Sequence, residues 1–421
     1  MIRILRIFST PFFVSFLTAM LMTPFILEAQ LGDRAEAIRL IQEGDHQLRF
    51  GNYEEAELAY TNAIELDPNL SDAYMKRAAF YSIIKRNKEA MNDYNKALQI
   101  SPYSEYIYDK RAKLKMIAMD YKGALDDLNS AISINPDNVE IIDHRIEDLI
   151  ALGEYEQALA DTDTLIQRGY RPENEFEKGA IIHLLLEDLQ SCMDYIDSAL
   201  VLNPNSSIAF DILGVVALKN ENYDKALESF DQAIGLNPDF AIAYHNRAIA
   251  RRSLGDKEGA IEDLNMAIEI SHNSSNVYFT RALVKKELGD LEGALEDYNQ
   301  AIISDTSYTD ALYNRAFTLK LAGDYTNALK DAEKIVSLEP YSPEHWNLKG
   351  NIELLFGNYD EAIKSYSESV KLNPDFGEAY YNRGLAYLMS YRQEEGCDDL
   401  KESIFLDYHN GEKTFKSFCH E

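Results

Sequence analysis

The stretch AIAYHNRAIARRSLGDKEGAIEDLNMAIEISHNS, residues 241–274, decides the fold. Tyr244, Ala248 and Arg251 fall on one helical face, spaced by four and then three residues. Gly255-Asp256 interrupts that pattern, and Ala260, Leu264 and Ala267 take it up again on a second helix. A helical hairpin of this size cannot bury its apolar side alone, so the question is whether it recurs.

It does, with a period of 34. Pro68, Pro102 and Pro136, then Pro204 and Pro238, then Pro340 and Pro374 are separated by multiples of 34 residues. Placing Pro68 at position 32 sets eleven units end to end from Ala37 to Asn410, with no insertion or deletion. Position 20 is small throughout, from Ala56 and Ala90 to Cys192 and Gly396. Position 8 is Gly or Ala in every unit except the fourth, which has Ile146. Two small columns twelve residues apart mark close helix crossings. Gly51, Gly153, Gly255, Gly289, Gly323 and Gly357 occupy the bend, where left-handed angles are cheap for glycine. Pairs such as Asn135-Pro136 and Asn373-Pro374 stop the second helix, because proline biases its predecessor away from helical angles.

Through these columns the chain resembles the tetratricopeptide repeat family. Ala243-Tyr244-His245-Asn246-Arg247-Ala248, Ala311-Leu312-Tyr313-Asn314-Arg315-Ala316 and Ala379-Tyr380-Tyr381-Asn382-Arg383-Gly384 are similar to its first helix, and Gly357-Asn358-Tyr359-Asp360-Glu361-Ala362-Ile363 to its bend and second helix. The resemblance spans residues 37–410. It implies an all-α, right-handed superhelical α-solenoid of antiparallel helix pairs, with residues 30–36 as a linker and residues 411–421 as a capping helix. Units four and five depart from the pattern at Ile146, Leu165 and Tyr170, and residues 168–174 form a candidate hinge, against the simpler reading that these repeats stack normally. The run from Gly396-Cys397 to Phe418-Cys419 is similar to the closing segment of many exported bacterial members. In an oxidising compartment Cys397 and Cys419 would form a disulfide; two free thiols are the alternative. Cys192, at a small position, reads as a buried substitute for alanine.

Composition narrows the function classes. Lys+Arg number 41 against 71 Asp+Glu, a net charge of -30, which disfavours nucleic-acid and anionic-lipid partners. Ahead of the repeats, Arg3 and Arg6 precede an uncharged run from Ile7 to Leu27, with Ala29 after it. Residues 1–29 read as a cleaved export signal, which places the remainder in the periplasm or cell envelope. The rival is an N-terminal anchor, which Pro11 and Pro24 disfavour; membrane contact would then come only from this segment.

No catalytic chemistry stands out. No two histidines share the four-residue helical spacing of a metal pair, and there is no phosphate loop, nucleophile elbow or calcium loop, so neither metal nor cofactor is expected. Asp126-Asp127 and Asp398-Asp399 read as solvated helix faces rather than paired catalytic carboxylates. The chain is expected to be no enzyme but a binding protein. In the family it resembles, positions 2, 5, 9 and 12 of the first helix line the concave groove. In units seven to nine those positions include the cations Arg252, Lys286 and Lys320 beside the aromatics Phe279, Tyr313 and Phe317. Against so acidic a chain this strip suits a protein or peptide ligand with acidic and apolar side chains. The competing reading packs the aromatics inside the stack and leaves the cations as ordinary surface residues. No unit combines Lys at position 5 with Asn at position 9, the pair some members use for chaperone tails; Asn347 and Asn351 come nearest. The Arg column at position 7, from Arg77 to Arg383, is expected to brace the stack by pairing with acidic neighbours. The leading expectation is an exported scaffold; the alternative is an accessory or regulatory subunit of an envelope glycan- or peptide-processing system.

Overall fold

A computed structural model describes residues 32–419, and every regular element among them is a helix. The export signal or anchor expected at residues 1–29 lies outside the described residues. Helix α1 covers 32–49. Residues 32–36, expected as linker, are already part of it: Asp33 and Glu36 sit at the helix start, where the dipole favours acids, and Glu36 accepts two bonds from Arg39 one turn on.

The first helices of the following repeats are α3 (Ser71–Ile83), α5 (Glu105–Ile117), α7 (Val139–Leu152), α9 (Pro172–Leu185) and α11 (Ser207–Lys219). They continue as α13 (Ala241–Ser253), α15 (Ser275–Glu287), α17 (Thr309–Leu321), α19 (Pro343–Phe356) and α21 (Gly377–Met389). The second helices are α2 (Tyr53–Leu66), α4 (Asn87–Ile100), α6 (Tyr121–Ile134), α8 (Tyr155–Gln167), α10 (Leu189–Leu202) and α12 (Tyr223–Leu236). They continue as α14 (Lys257–Ile270), α16 (Leu291–Ser304), α18 (Tyr325–Leu338), α20 (Tyr359–Leu372) and α22 (Gln393–Phe405), and α23 (Gly411–Phe418) closes the chain. Contacts divide the chain into two compact units, Met1–Asn203 and Pro204–Glu421, and within each the consecutive helices pack as antiparallel neighbours. No helix among the described residues is long and apolar enough to cross a membrane.

Local rules set each boundary. Position 15 of all eleven repeats is left-handed, at the six glycines and also at Lys85, Met119, Glu187, Glu221 and Tyr391. The next residue caps the second helix: Asp120, Asp188, Asn222, Asp256, Asp290 and Asp324 each accept a bond from the backbone N–H three residues on. At the other end the side chains of Asp67, Asn135, Asn237 and Asn373 accept from the backbone two residues later, turning the chain out of the helix. The junction at 168–174 is irregular, with Arg171 left-handed at φ 39° and Pro172 opening α9; it lies inside the first unit, where Tyr170 packs against the cluster of Ile146 and Leu165.

The core is built where the small columns meet large ones. Position 20 is buried in every repeat. At position 8, Gly44 faces Tyr60 and Gly350 faces Tyr366, and a Cβ on either would approach the ring to 2.6 Å. The fourth repeat reverses the sizes, with buried Ile146 at position 8 and buried Thr162 in the ring position. A second device links the repeats. Arg77, Arg111, Arg145, Arg247, Arg281, Arg315 and Arg383 each grip an aspartate sixteen residues ahead with two bonds and send a third nitrogen to the residue sixteen behind, in the preceding repeat. The Arg column thus braces the stack by pairing with acidic neighbours.

Candidate binding face

The candidate residues lie on three successive first helices of the second unit: Arg252 on α13, Phe279 and Lys286 on α15, and Tyr313, Phe317 and Lys320 on α17. Their register follows from the 34-residue period, which returns positions 5, 9 and 12 to the same side of each first helix.

The three cations differ in what they face. Arg252 is ion-paired with Glu287, which also receives Lys257 at 3.5 Å, so its charge is already met within the fold. Lys286 donates to the Asn314 side chain at 2.9 Å, and its ammonium lies 5.7 Å from the Phe317 ring centre. Lys320 has no ion pair among the described residues, and its ammonium sits 4.4 Å from the same ring. Burial pushes both lysines below their ordinary pKa, helped at Lys286 by the charge of Arg252. One phenyl face is therefore flanked by two partly dehydrated ammonium groups. A cation over a ring is worth about 0.5–1 kcal/mol at exposed sites and more when desolvated, less than a charge-assisted bond to a carboxylate would add.

The aromatics serve both the stack and the surface. Phe279 packs at a tilt against Tyr298 and Tyr308, with centres 6.1 and 5.1 Å apart, and Tyr313 lies 5.8 Å from His345. All three candidate rings are half-buried, with one side in the inter-repeat clusters. This limits what they offer a ligand to an edge or a face each.

A polar ladder on the same side of the first helices escaped the sequence reading. It joins position 5 of one repeat to position 6 of the next. Within the first unit Asp109 meets His144 at 2.7 Å and Lys178 bonds Asp143. Within the second, Asn246 donates to Asp211 at 3.0 Å, His245 meets Thr280 at 2.9 Å and Asn382 donates to Asn347 at 3.1 Å. Burial pushes the Asp211 carboxyl up to about 6, while burial lowers His245. Lys110 and His144 hold the Asp109 carboxyl down at about 2 despite its burial. The signal was the constant separation of 35 residues, which no local pattern displays. Asn347 is bonded to Glu378 as well as Asn382, and Asn351 accepts from the Tyr366 hydroxyl, so both residues nearest to a chaperone-tail pair are taken up within the fold.

The acidic pairs separate on folding. Asp127 and Asp399 are buried under Arg111 and Arg383, while Asp126 and Asp398 face solvent. Cys397 and Cys419 are joined, with Cα atoms 5.7 Å apart, tying α23 to α22. Cys192 is buried and free, and burial pushes its thiol up to about 11. No group of three metal-ligating side chains occurs among the described residues.

Families described as TPR repeat and Tetratricopeptide repeat match residues 350–390, 41–105, 213–275, 275–305 and 309–342, which together span more than half of the chain. The family Anaphase-promoting complex subunit 5 matches residues 7–44. No curated protein matches the chain in sequence. Among solved structures, the chain is similar to one of the APC/C hetero-tetramer Cut9–Hcn1, at 11% identity and TM-score 0.49, covering 94% of this chain and 99% of that one. It is also similar to YrrB, a TPR protein with an unusual peptide-binding site, at 22% identity and TM-score 0.41, over 45% and 99%. A third is a tetratricopeptide repeat protein from Parabacteroides merdae, at 18% identity and TM-score 0.42, over 59% and 99%.

Proposed function

Because the chain belongs to the tetratricopeptide repeat family, we propose that it is a non-catalytic exported scaffold that binds a protein or peptide segment on the first-helix face of repeats seven to nine. The observation that carries this reading is the Lys286–Phe317–Lys320 cluster. Two partly desolvated ammonium groups flanking one apolar ring have no carboxylate within ion-pairing distance among the described residues, and an acidic side chain next to an apolar one supplies both contacts at once. The uniform basic ladder read from the sequence becomes two active cations, with Arg252 braced by Glu287.

Export is supported by Arg3 and Arg6 ahead of the uncharged run Ile7 to Leu27, and by the Cys397–Cys419 pair, which suits an oxidising compartment. On this reading the scaffold works in the periplasm or cell envelope.

The test is retention of a partner by the purified protein from envelope extract, followed by direct binding of the identified segment. Lys286→Glu with Lys320→Glu should abolish binding and Arg252→Ala should leave it within about twofold, since only the former remove cations facing the ligand. Equal binding by the charge-reversed protein would refute the assignment.

A further inference from the structure

Beyond repeat nine the same face changes character. Position 12 passes from Lys320 to Leu354 and Leu388, and position 13 presents Leu321, Leu355 and Met389, each about half exposed. The helices carrying them, α17, α19 and α21, are successive neighbours, which sets these apolar side chains at the same register from one first helix to the next. The series ends in a cavity of about 360 Å³ lined by Leu385, Leu388, Met389, Tyr391, Gln393 and Phe418. Phe418 comes from α23. It is held there by the adjoining Cys397–Cys419 bond and by Gln393, which donates to the Phe418 carbonyl at 2.9 Å. Tyr391 and Phe418 are 97% and 55% exposed, a concentration of open apolar surface at one end of the array.

We propose that this cavity is the second half of the binding face and takes a large apolar side chain from the same amphipathic segment whose carboxylate meets Lys286 and Lys320; the inference rests on the reading of repeats seven to nine given above. Charge fixes the direction. The cavity lining of Leu385, Leu388, Met389, Tyr391, Gln393 and Phe418 carries no charge, so the uncharged residue belongs at the cavity and the acidic residue at the lysine end. Geometry fixes the spacing. The cavity lies two first helices beyond Lys320, roughly 20 Å at about 10 Å per step, and an extended chain covers that distance in about six residues. The ligand class is therefore a short extended segment with a carboxylate and, about six residues away, a leucine- or phenylalanine-sized side chain.

The experiment displays a random twelve-residue peptide library against the full, disulfide-intact protein, and measures enriched peptides against Lys320→Glu, Phe418→Ser and Phe418→Leu. Thermal melts confirm that each variant folds. The expected peptides pair a carboxylate with a large apolar residue about six positions apart; Lys320→Glu and Phe418→Ser each weaken them about tenfold, and Phe418→Leu restores most of the loss. Peptides weakened by Lys320→Glu but indifferent to Phe418→Ser would overturn this inference while leaving repeats seven to nine as the binding face. Peptides indifferent to both variants, or no enrichment, would overturn both.

Discussion

Arg315 grips Asp331 with two parallel bonds, Nε to Oδ2 at 2.8 Å and Nη2 to Oδ1 at 2.7 Å, and its third nitrogen donates to Asn299 of the preceding repeat at 2.6 Å. The aspartate is buried. Removing the arginine alone leaves a buried carboxylate without its counter-charge, so Arg315→Met should lower stability by about 3 kcal/mol. The double variant Arg315→Met/Asp331→Leu should recover most of it, because the isolated charge has gone. Urea melts of the two singles and the double give the coupling, and a double variant as unstable as the single would contradict the account.

Asp148 is fully buried on α7, and neither of its oxygens has a hydrogen-bond partner among the described residues. Other repeats place Leu114, Ile182, Val216 or Ile352 there. Burial, with Glu147 and Asp120 nearby, pushes the carboxyl up to about 6 from an ordinary value of 3.8. The folded state holds this proton more tightly than the unfolded chain, so its contribution to stability falls as pH rises from about 4 to about 6 and stays low above that. Asp148→Leu should raise stability at pH 7.5 by about 1–3 kcal/mol and by much less at pH 4. Urea midpoints at both pH values check this; a gain independent of pH would point to packing alone.

Met119 holds φ 60° at an exposed turn where Gly153 and Gly323 serve other repeats. A side chain in the left-handed region costs about 1–2 kcal/mol, part of which glycine returns as lost chain entropy. Met119→Gly should therefore stabilise by about 0.5–1 kcal/mol, and Gly323→Ala should destabilise by a similar amount. Thermal melts compare the two.

Gly214 lies against the fully buried Phe230, and a Cβ there would overlap the ring. Gly214→Ala should cost about 1–3 kcal/mol. Adding Phe230→Leu should restore most of it, since Ala112 with Leu128 and Ala248 with Leu264 make that pairing elsewhere in the chain. A second substitution that worsened the first would show that the two positions do not share one space.

The period, the small columns and the glycine bends were legible because they are local or repeat at one spacing. Five of the eleven left-handed bends were not: Lys85, Met119, Glu187, Glu221 and Tyr391 adopt the same angle without the residue that signals it, held there by the helices on either side. Ile146 looked like a defect at a small column, and only the facing Thr162 shows that the two sizes are exchanged. At the binding face the residue types were readable but their partners were not. Arg252 and Glu287 are 35 residues apart, as are the rungs of the polar ladder, so which cation is neutralised depends on how repeats stack. The closing helix was legible as a cap, but the cavity it shares with α21 needed the fold.

The central claim is that a partner segment lies across Phe317 between Lys286 and Lys320. Site-specific photocrosslinking tests it most directly, with p-benzoylphenylalanine replacing Phe317 in one protein and the partly exposed Lys334 of α18 in another, each expressed in its own cell. The account predicts a discrete partner adduct from position 317, lost when Lys286→Glu and Lys320→Glu are added, and none from position 334. Adducts from position 334 with none from 317 would contradict it.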